Sequence, residues 1–192
     1  METWAIGHAK SAQQRAWFMR DRRLREALTL RDLGYWSHFV GDASQPLHVS
    51  MHYNGWGQYP NPNGYTQDKV HAPFEGALVF NHVKAVDVRA RLAPYRACAC
   101  TIQQRTEAYL AATEAQVIPF YEMVKAGGLK DGDPRGRDFA AERLAAGASQ
   151  LRDMVVDAWR ASATVSVGYP PAQPADIEAG KADAYSGLYG PD

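Results

Sequence analysis

The chain has 192 residues, of which 46% are hydrophobic, and this length and composition are typical of one globular domain with a sizeable core. Lysine plus arginine and aspartate plus glutamate number 21 each, so the formal net charge is zero. That balance argues against a protein held on duplex nucleic acid by a broad basic face. It leaves room for an enzyme that attracts one phosphate to a local cation.

The sequence predicts an all-α fold, because apolar residues recur at intervals of three and four and no useful alternating run is present. Helices are expected at about Ser11 to Arg20, Asp21 to Gly41, His71 to Arg89, Thr101 to Ala126 and Asp138 to Ser162. Pro119 is expected to kink the fourth of these or end it early. We therefore expect one helical domain over residues 1–163 and an extended or loose C-terminal tail over residues 164–192. No apolar stretch approaches about 18 residues, so no membrane span is predicted.

Residues 49–70 interrupt the helical pattern with three glycines, two prolines and three asparagines, a composition typical of a loop. Structureless loops of this length are uncommon in compact domains and are often functional. The loop also contains Tyr53, Trp56 and Tyr59. These rings could stack on a nucleic-acid base or cover the apolar part of a lipid, and ordinary loop packing is the alternative.

Five potential metal ligands flank this loop. His38 and Asp42, and again His71 and Glu75, are four residues apart, which places each pair on one face of a helix. His48 follows the first pair after a Gln-Pro-Leu turn. Imidazole plus carboxylate suits zinc better than calcium or magnesium, which prefer oxygen ligands. Because five ligands exceed the four of one structural zinc, we expect more than one ion, with a carboxylate as the bridge. We also expect Asp42 to be buried close to the other ligands.

The remaining histidines and the two cysteines receive no functional role from the sequence. His8, His52 and His82 have no such partners at helical spacing, so we expect ordinary core or surface residues. Cys98 and Cys100 are separated by a single alanine, a spacing at which a disulfide would need a strained ring. A soft-metal site would need a second cysteine pair, which the sequence lacks. The sequence therefore predicts two free thiols.

The run from Leu33 to His48, LGYWSHFVGDASQPLH, resembles the hallmark of the superfamily that joins bacterial zinc-dependent phospholipase C with the single-strand-specific zinc nucleases of fungi and plants. The later run VHAPFE, from Val70 to Glu75, resembles the next zinc motif of that superfamily. The spacing from His48 to His71 is nearer the nuclease branch, whereas a glutamate at position 75 is closer to the phospholipase branch. The strong match covers about residues 33–80, and a weaker helical resemblance extends to about residue 160.

The resemblance implies an all-α fold with up to three zinc ions in a cleft, covered here by the loop at about residues 49–70. It implies that His48, His71 and Glu75 form one zinc site open to water and substrate. It also implies that His38 and Asp42 belong to a paired site, with Asp42 as the catalytic, bridging carboxylate. Because the superfamily completes the paired site with N-terminal residues that have no match here, we expect either a piece of a longer protein, with those ligands upstream of Met1, or a degenerate member. One zinc site is then fully encoded here, and weak or absent activity is expected of this chain alone.

Together these features predict a zinc-dependent phosphodiesterase, of nuclease or phospholipase C type, in which metal-bound hydroxide attacks phosphorus. The expected substrate is single-stranded nucleic acid or a phospholipid headgroup, with Tyr53, Asn54 and Trp56 as substrate-binding residues. Two alternatives stay open: a catalytically impaired zinc-binding helical domain, and a helical interaction module without metal. Residues 1–25 contain no apolar stretch typical of a signal peptide, although the resemblance implies a secreted or periplasmic location.

Overall fold

The computed structural model describes residues 2–189, which form an all-α fold, as the sequence predicted. The helices are α1 (Glu2–Gly7), α2 (Ala12–Asp42), α3 (Val79–His82), α4 (Ala85–Arg89), α5 (Ile102–Glu114), α6 (Val117–Lys125), α7 (Pro134–Ala161), α8 (Pro174–Glu178) and α9 (Ala184–Tyr189). A short 3-10 helix spans Pro46–Val49, and a wider π-helical segment, Pro73–Leu78, leads directly into α3. Within the described residues, β-structure is limited to two isolated bridges.

Several helix boundaries differ from the prediction for identifiable reasons. α2 is one continuous helix where two were expected, because Asp21 forms an i,i+4 ion pair with Arg25 at 2.7 Å within the helix instead of capping a new one. The helix expected from Thr101 to Ala126 is divided between α5 and α6. Pro119 therefore lies in the first turn of α6, where its missing N–H has no intrahelical partner to lose.

The start of α7 and the C-terminal region also differ from expectation. α7 begins at Pro134, four residues before the predicted Asp138, because the Asp133 carboxylate accepts the Arg135 backbone N–H at 2.9 Å. The tail beyond residue 163 contains α8 and α9, with Ile177 buried, which corrects the expectation of an extended arm. Met1 and residues 190–192 lie outside the described part of the chain.

Contacts within the chain divide it into two compact units. One comprises residues 1–36 and 155–192, and its core includes Ala5, Phe18 and Ile177. The other comprises residues 37–154, and its larger core includes Leu47, Phe74, Phe120 and Tyr121. All five predicted metal ligands belong to the second unit. None of the helices described combines the length and the apolar character that crossing a bilayer requires.

In the second unit, a buried carboxylate on α7 fixes the segment that leads into α5. Asp153 is 6% exposed and accepts hydrogen bonds from the Arg96 backbone N–H and from the side chains of Arg105 and Arg152. The Arg152 guanidinium also donates to the Ala93 carbonyl at 2.7 Å. Three charge-assisted contacts on one buried carboxylate compensate for its loss of hydration.

The cysteines lie in this same segment and form a disulfide, which corrects the prediction of free thiols. The backbone bends at residues 99 and 100, so the Cα atoms of Cys98 and Cys100 are 5.1 Å apart. That separation lies within the usual range for a disulfide. The prediction was wrong because this bend brings the two cysteines close enough for the ring to close.

We expect Asp153→Asn to lower the free energy of unfolding by about 3 kcal/mol, because it leaves the largely buried guanidinium of Arg105, and the partly exposed one of Arg152, facing a neutral amide. The matched control is Asp138→Asn on the same helix, where Arg91 and Arg137 pair with a half-exposed carboxylate. That change should cost less than about 1 kcal/mol. Urea denaturation of both variants is the measurement, and equal losses would contradict the buried-network account.

Candidate metal centre

The five predicted ligands come from successive elements of the second unit. His38 and Asp42 occupy the last turns of α2, His48 lies in the 3-10 helix, and Glu75 lies in the π-helical segment just after His71. α2 ends at Asp42 because the chain turns there: the Ser44 and Gln45 backbone N–H groups donate to Gly41 and Asp42. π-helical turns of this kind are frequent at functional sites.

His48, His71 and Glu75 form a compact triangle of ligand atoms. Nε2 of His48 lies 3.0 Å from Nε2 of His71 and 3.1 Å from Oε1 of Glu75. Nε2 of His71 lies 3.0 Å from Oε2 of Glu75. Ligand atoms around tetrahedral zinc, with bonds of about 2.0–2.2 Å, are about 3.3–3.5 Å apart. The three side chains thus match a metal shell closely, as a group that could hold one ion.

The contact that Nδ1 of His71 makes determines which of its two ring nitrogens can act as a metal ligand. Nδ1 of His71 lies 2.8 Å from the Tyr53 carbonyl oxygen, which can only accept. Nδ1 therefore carries a proton, and whenever the ring has no second proton its Nε2 presents a lone pair to His48 and to Glu75. Acceptors at these distances repel one another unless a cation, either a proton or a metal ion, lies among them. A histidine fixed by a backbone carbonyl in this way is typical of metal ligands.

Two further side chains hold the triangle in place. The buried Gln45 amide donates from Nε2 to Oε1 of Glu75 at 3.1 Å, while its Oε1 accepts the Leu47 backbone N–H at 2.9 Å. Asn54 accepts the His71 backbone N–H through Oδ1 at 3.2 Å. This contact gives the Oδ1 atom of Asn54 a structural role beside His71, and a substrate-binding role for Asn54 stays a prediction.

His38 and Asp42 lie beside the triangle and outside it. Nε2 of His38 is 3.2 Å from Oδ2 of Asp42, and Nδ1 of His48 is 3.7 Å from Oδ1 of Asp42. Asp42 thus approaches His48 from the ring nitrogen opposite the triangle. The side chain of Asp42 is 41% exposed, because it ends α2 at the surface, and this corrects the expectation of a buried carboxylate. A bridging role for Asp42 stays a prediction.

The loop aromatics divide into buried and exposed groups. Trp56 is only 8% exposed, with its ring stacked on His52 at 3.7 Å and its Nε1 donating to the Pro60 carbonyl. Both the ring and the N–H donor of Trp56 are thus engaged within the loop, and a substrate-binding role for Trp56 stays a prediction. Tyr53 and Tyr59 are exposed, and their rings remain available to a ligand.

Two depressions border the cluster of ligands. A cleft of about 640 Å³ is lined by His38, Asp42, His48 and Glu75 and by the facing side of α7. A second depression of about 560 Å³ is lined by Asp42, His48 and His71 together with Phe39 and Tyr53. Described residues of the loop at 49–70 border the second depression and not the first. The expected position of the loop over a cleft therefore applies only to the second depression.

Two residues at this site were not singled out from the sequence. Gln45 lies inside the quoted motif, and a glutamine three residues before a ligand histidine could have indicated a supporting contact. Arg143 lines the larger cleft together with Ala140, Leu144 and Gly147 of α7. A single arginine within an apolar helical face was the signal available for it.

We expect Gly55→Ala to lower the free energy of unfolding by about 3 kcal/mol, because φ is +96° there and an added Cβ would lie 2.7 Å from the backbone oxygens of Gln67 and Asp68. Gly64→Ala is the matched control: φ is +63° but no atom lies within 4 Å, so about 1 kcal/mol is expected. Urea denaturation separates the two. Equal losses would show that the loop can move aside, so that it does not hold the Tyr53 carbonyl rigidly against His71.

Comparison with known proteins gives no match: no protein-family model fits the chain, and no curated protein or solved structure matches it significantly. The resemblance of the motifs around His48 and His71 therefore stays a prediction.

Proposed function

We propose that this protein is a zinc-dependent phosphodiesterase whose metal site is formed by His48, His71 and Glu75. The observation that carries the proposal is the convergence of two imidazole nitrogens and a carboxylate within 3.1 Å of one another at the edge of two clefts. Two imidazoles and one carboxylate leave a fourth tetrahedral position for water or substrate, the usual composition of a catalytic zinc. When bound, the ion would supply Lewis acidity and an activated water.

The surrounding residues have separable tasks in this proposal. The Tyr53 carbonyl and the Gln45 amide orient His71 and Glu75, so that the ligand set is organised before a cation arrives. Asp42 lies next to Nδ1 of His48 and favours the tautomer with a free Nε2. Asp42 and His38 also form a half-exposed pair that can accept a proton or, as the resemblance implies, contribute to a second ion.

The two depressions suit a phosphodiester, which carries two substituents on one phosphorus. A phosphate placed at the triangle would send one substituent along the larger cleft and the other toward Phe39 and Tyr53. An exposed tyrosine can stack on a base or cover the apolar part of a lipid. The proposed substrates are therefore single-stranded nucleic acid or a phospholipid headgroup.

The catalytically impaired zinc-binding domain remains the alternative, and the His71–Tyr53 contact is the observation that favours it. An ion at His71 would connect the loop to the π-helical segment and brace both. In that case zinc would raise stability without supporting turnover. Zinc affinity and ester hydrolysis, measured separately, distinguish metal binding from catalysis.

We expect His71→Ala to weaken zinc binding by more than about 100-fold, because it removes a ligand, and Gln45→Ala to weaken it by about 10–100-fold, because it removes only an outer contact. His82→Ala is the control: His82 pairs with Asp131 and takes no part in the triangle. Calorimetric titration of chelator-treated proteins with zinc is the measurement. Equal affinities for His71→Ala and the unaltered protein would refute the site.

We expect slow hydrolysis of bis(4-nitrophenyl) phosphate by the zinc-loaded protein, lost on chelation and restored by added zinc. Glu75→Gln should reduce the rate by about 100-fold or more, because it removes the ligand charge that holds the ion. Turnover that persists in chelator would contradict metal catalysis. Tight zinc binding without turnover of this ester or of single-stranded nucleic acid would favour the impaired-domain alternative.

A further inference from the structure

One side of the larger cleft is formed by α7, which presents a largely apolar face there. Ala140, Leu144, Ala148 and Leu151 line it at helical spacing. Arg143 is the one cation among the residues that line this cleft, and it faces a wall that carries Asp42 and Glu75. Such a residue needs a physical explanation, because a guanidinium loses favourable hydration in apolar surroundings.

The environment of Arg143 leaves one of its hydrogen-bond donors unused. Its Nε is buried without a hydrogen-bond partner among the described residues, and its guanidinium carbon lies 5.8 Å from the ring centroid of Phe139. Burial lowers the pKa of Arg143, although an arginine remains charged at neutral pH. Neighbouring α7 arginines differ: Arg137 and Arg152 donate to the carboxylates of Asp138 and Asp153. The charged or ionisable neighbours of Arg143 are Glu142 and Tyr109, and neither forms a close ion pair with it. Arg143 is therefore a charged donor in the cleft with unused hydrogen-bonding capacity.

We propose that Arg143 binds the anionic phosphate of the substrate and that the apolar face of α7 receives a hydrophobic substituent of the same molecule. The inference rests on the proposed function, because the phosphate is the group that would meet the metal triangle across the cleft. Guanidinium donors match phosphate oxygens in a fork geometry that lysine lacks. Arg143 and the apolar face of α7 together favour one class of substrate, a phosphodiester anion with at least one bulky apolar or aromatic group.

The carboxylates across the cleft make this binding depend on the cation. Asp42 and Glu75 would repel a phosphate in the metal-free protein, whereas zinc at the triangle offsets their charge. Anion affinity is therefore expected to rise when zinc is bound. Diphenyl phosphate should bind more tightly than dimethyl phosphate in either state, because only the former has a substituent that fills the apolar face.

The experiment measures binding of diphenyl phosphate by calorimetry, with zinc and with chelator, for the unaltered protein and for Arg143→Gln, Arg143→Lys and Arg137→Gln. Arg143→Gln should weaken binding by about 10–100-fold, with a smaller loss for Arg143→Lys, which keeps the charge but not the fork. Arg137→Gln should bind as the unaltered protein does, because Arg137 pairs with Asp138 and does not line the cleft. Zinc affinity should be unchanged in all three variants.

A second readout needs no folded variant at position 143. The Nε–H resonance of Arg143 in the unaltered protein, identified by sequential assignment, should shift on addition of diphenyl phosphate. Normal zinc binding with no resonance shift and no loss of affinity in Arg143→Gln would overturn the inference and leave the proposed function standing. Arginine-dependent anion binding in a protein that binds no zinc would support the inference and overturn the proposed function. Failure of diphenyl phosphate to bind in either state would overturn the inference.

Discussion

The contact between the Tyr53 carbonyl and Nδ1 of His71 is the interaction on which the proposed site depends. By holding a proton on Nδ1, it makes Nε2 the ring nitrogen that can direct a lone pair at His48 and Glu75. A cluster of acceptors at about 3 Å is unfavourable alone and favourable around a cation. This one backbone carbonyl therefore orients His71 for the proposed metal site. It belongs to the 22-residue loop that precedes His71 in the sequence.

Packing beneath the site explains why that geometry is held. Leu47 and Phe74 are buried in the core, and each directly precedes a ligand, His48 and Glu75 respectively. Burying an apolar neighbour fixes the backbone from which each proposed ligand projects, so the ligand has little freedom to move. The loop is anchored in the same core by Trp56 and Tyr65, and the Tyr121 hydroxyl donates to the His52 carbonyl at 2.6 Å. The hydrophobic core and the polar cluster are thus successive layers of one structure.

Local patterns in the sequence predicted the fold class and the membership of the cluster. The i,i+4 spacing of His38 with Asp42 and of His71 with Glu75 depends only on helix geometry, and each pair is in contact in the structure. Features that depend on tertiary packing were not accessible in the same way. The burial of Trp56, the capping by Asn54 and the exposure of Asp42 are decided by neighbours distant in sequence. The disulfide between Cys98 and Cys100 likewise depends on a backbone bend with no clear sequence signal.

The position of Arg143 in the cleft is another feature that could not be predicted from the sequence. A helical pattern could place it among apolar positions of α7, but only the fold brings that helix opposite Asp42 and Glu75 across one cleft. The sequence therefore indicated the proposed metal ligands, which lie close together along the chain, better than the residues that would recognise a substrate. Recognition surfaces built from distant elements require the tertiary structure.

X-ray absorption at the zinc edge, on protein loaded with one equivalent of zinc, tests the central claim most directly. The account predicts a shell of nitrogen and oxygen atoms at about 2.0–2.2 Å, including two imidazoles that contribute outer-shell scattering, and no sulfur. Loss of one imidazole from this shell in His71→Ala would identify the ligand. A zinc–sulfur distance of about 2.3 Å, or a shell of oxygen atoms without imidazole, would contradict the site formed by His48, His71 and Glu75.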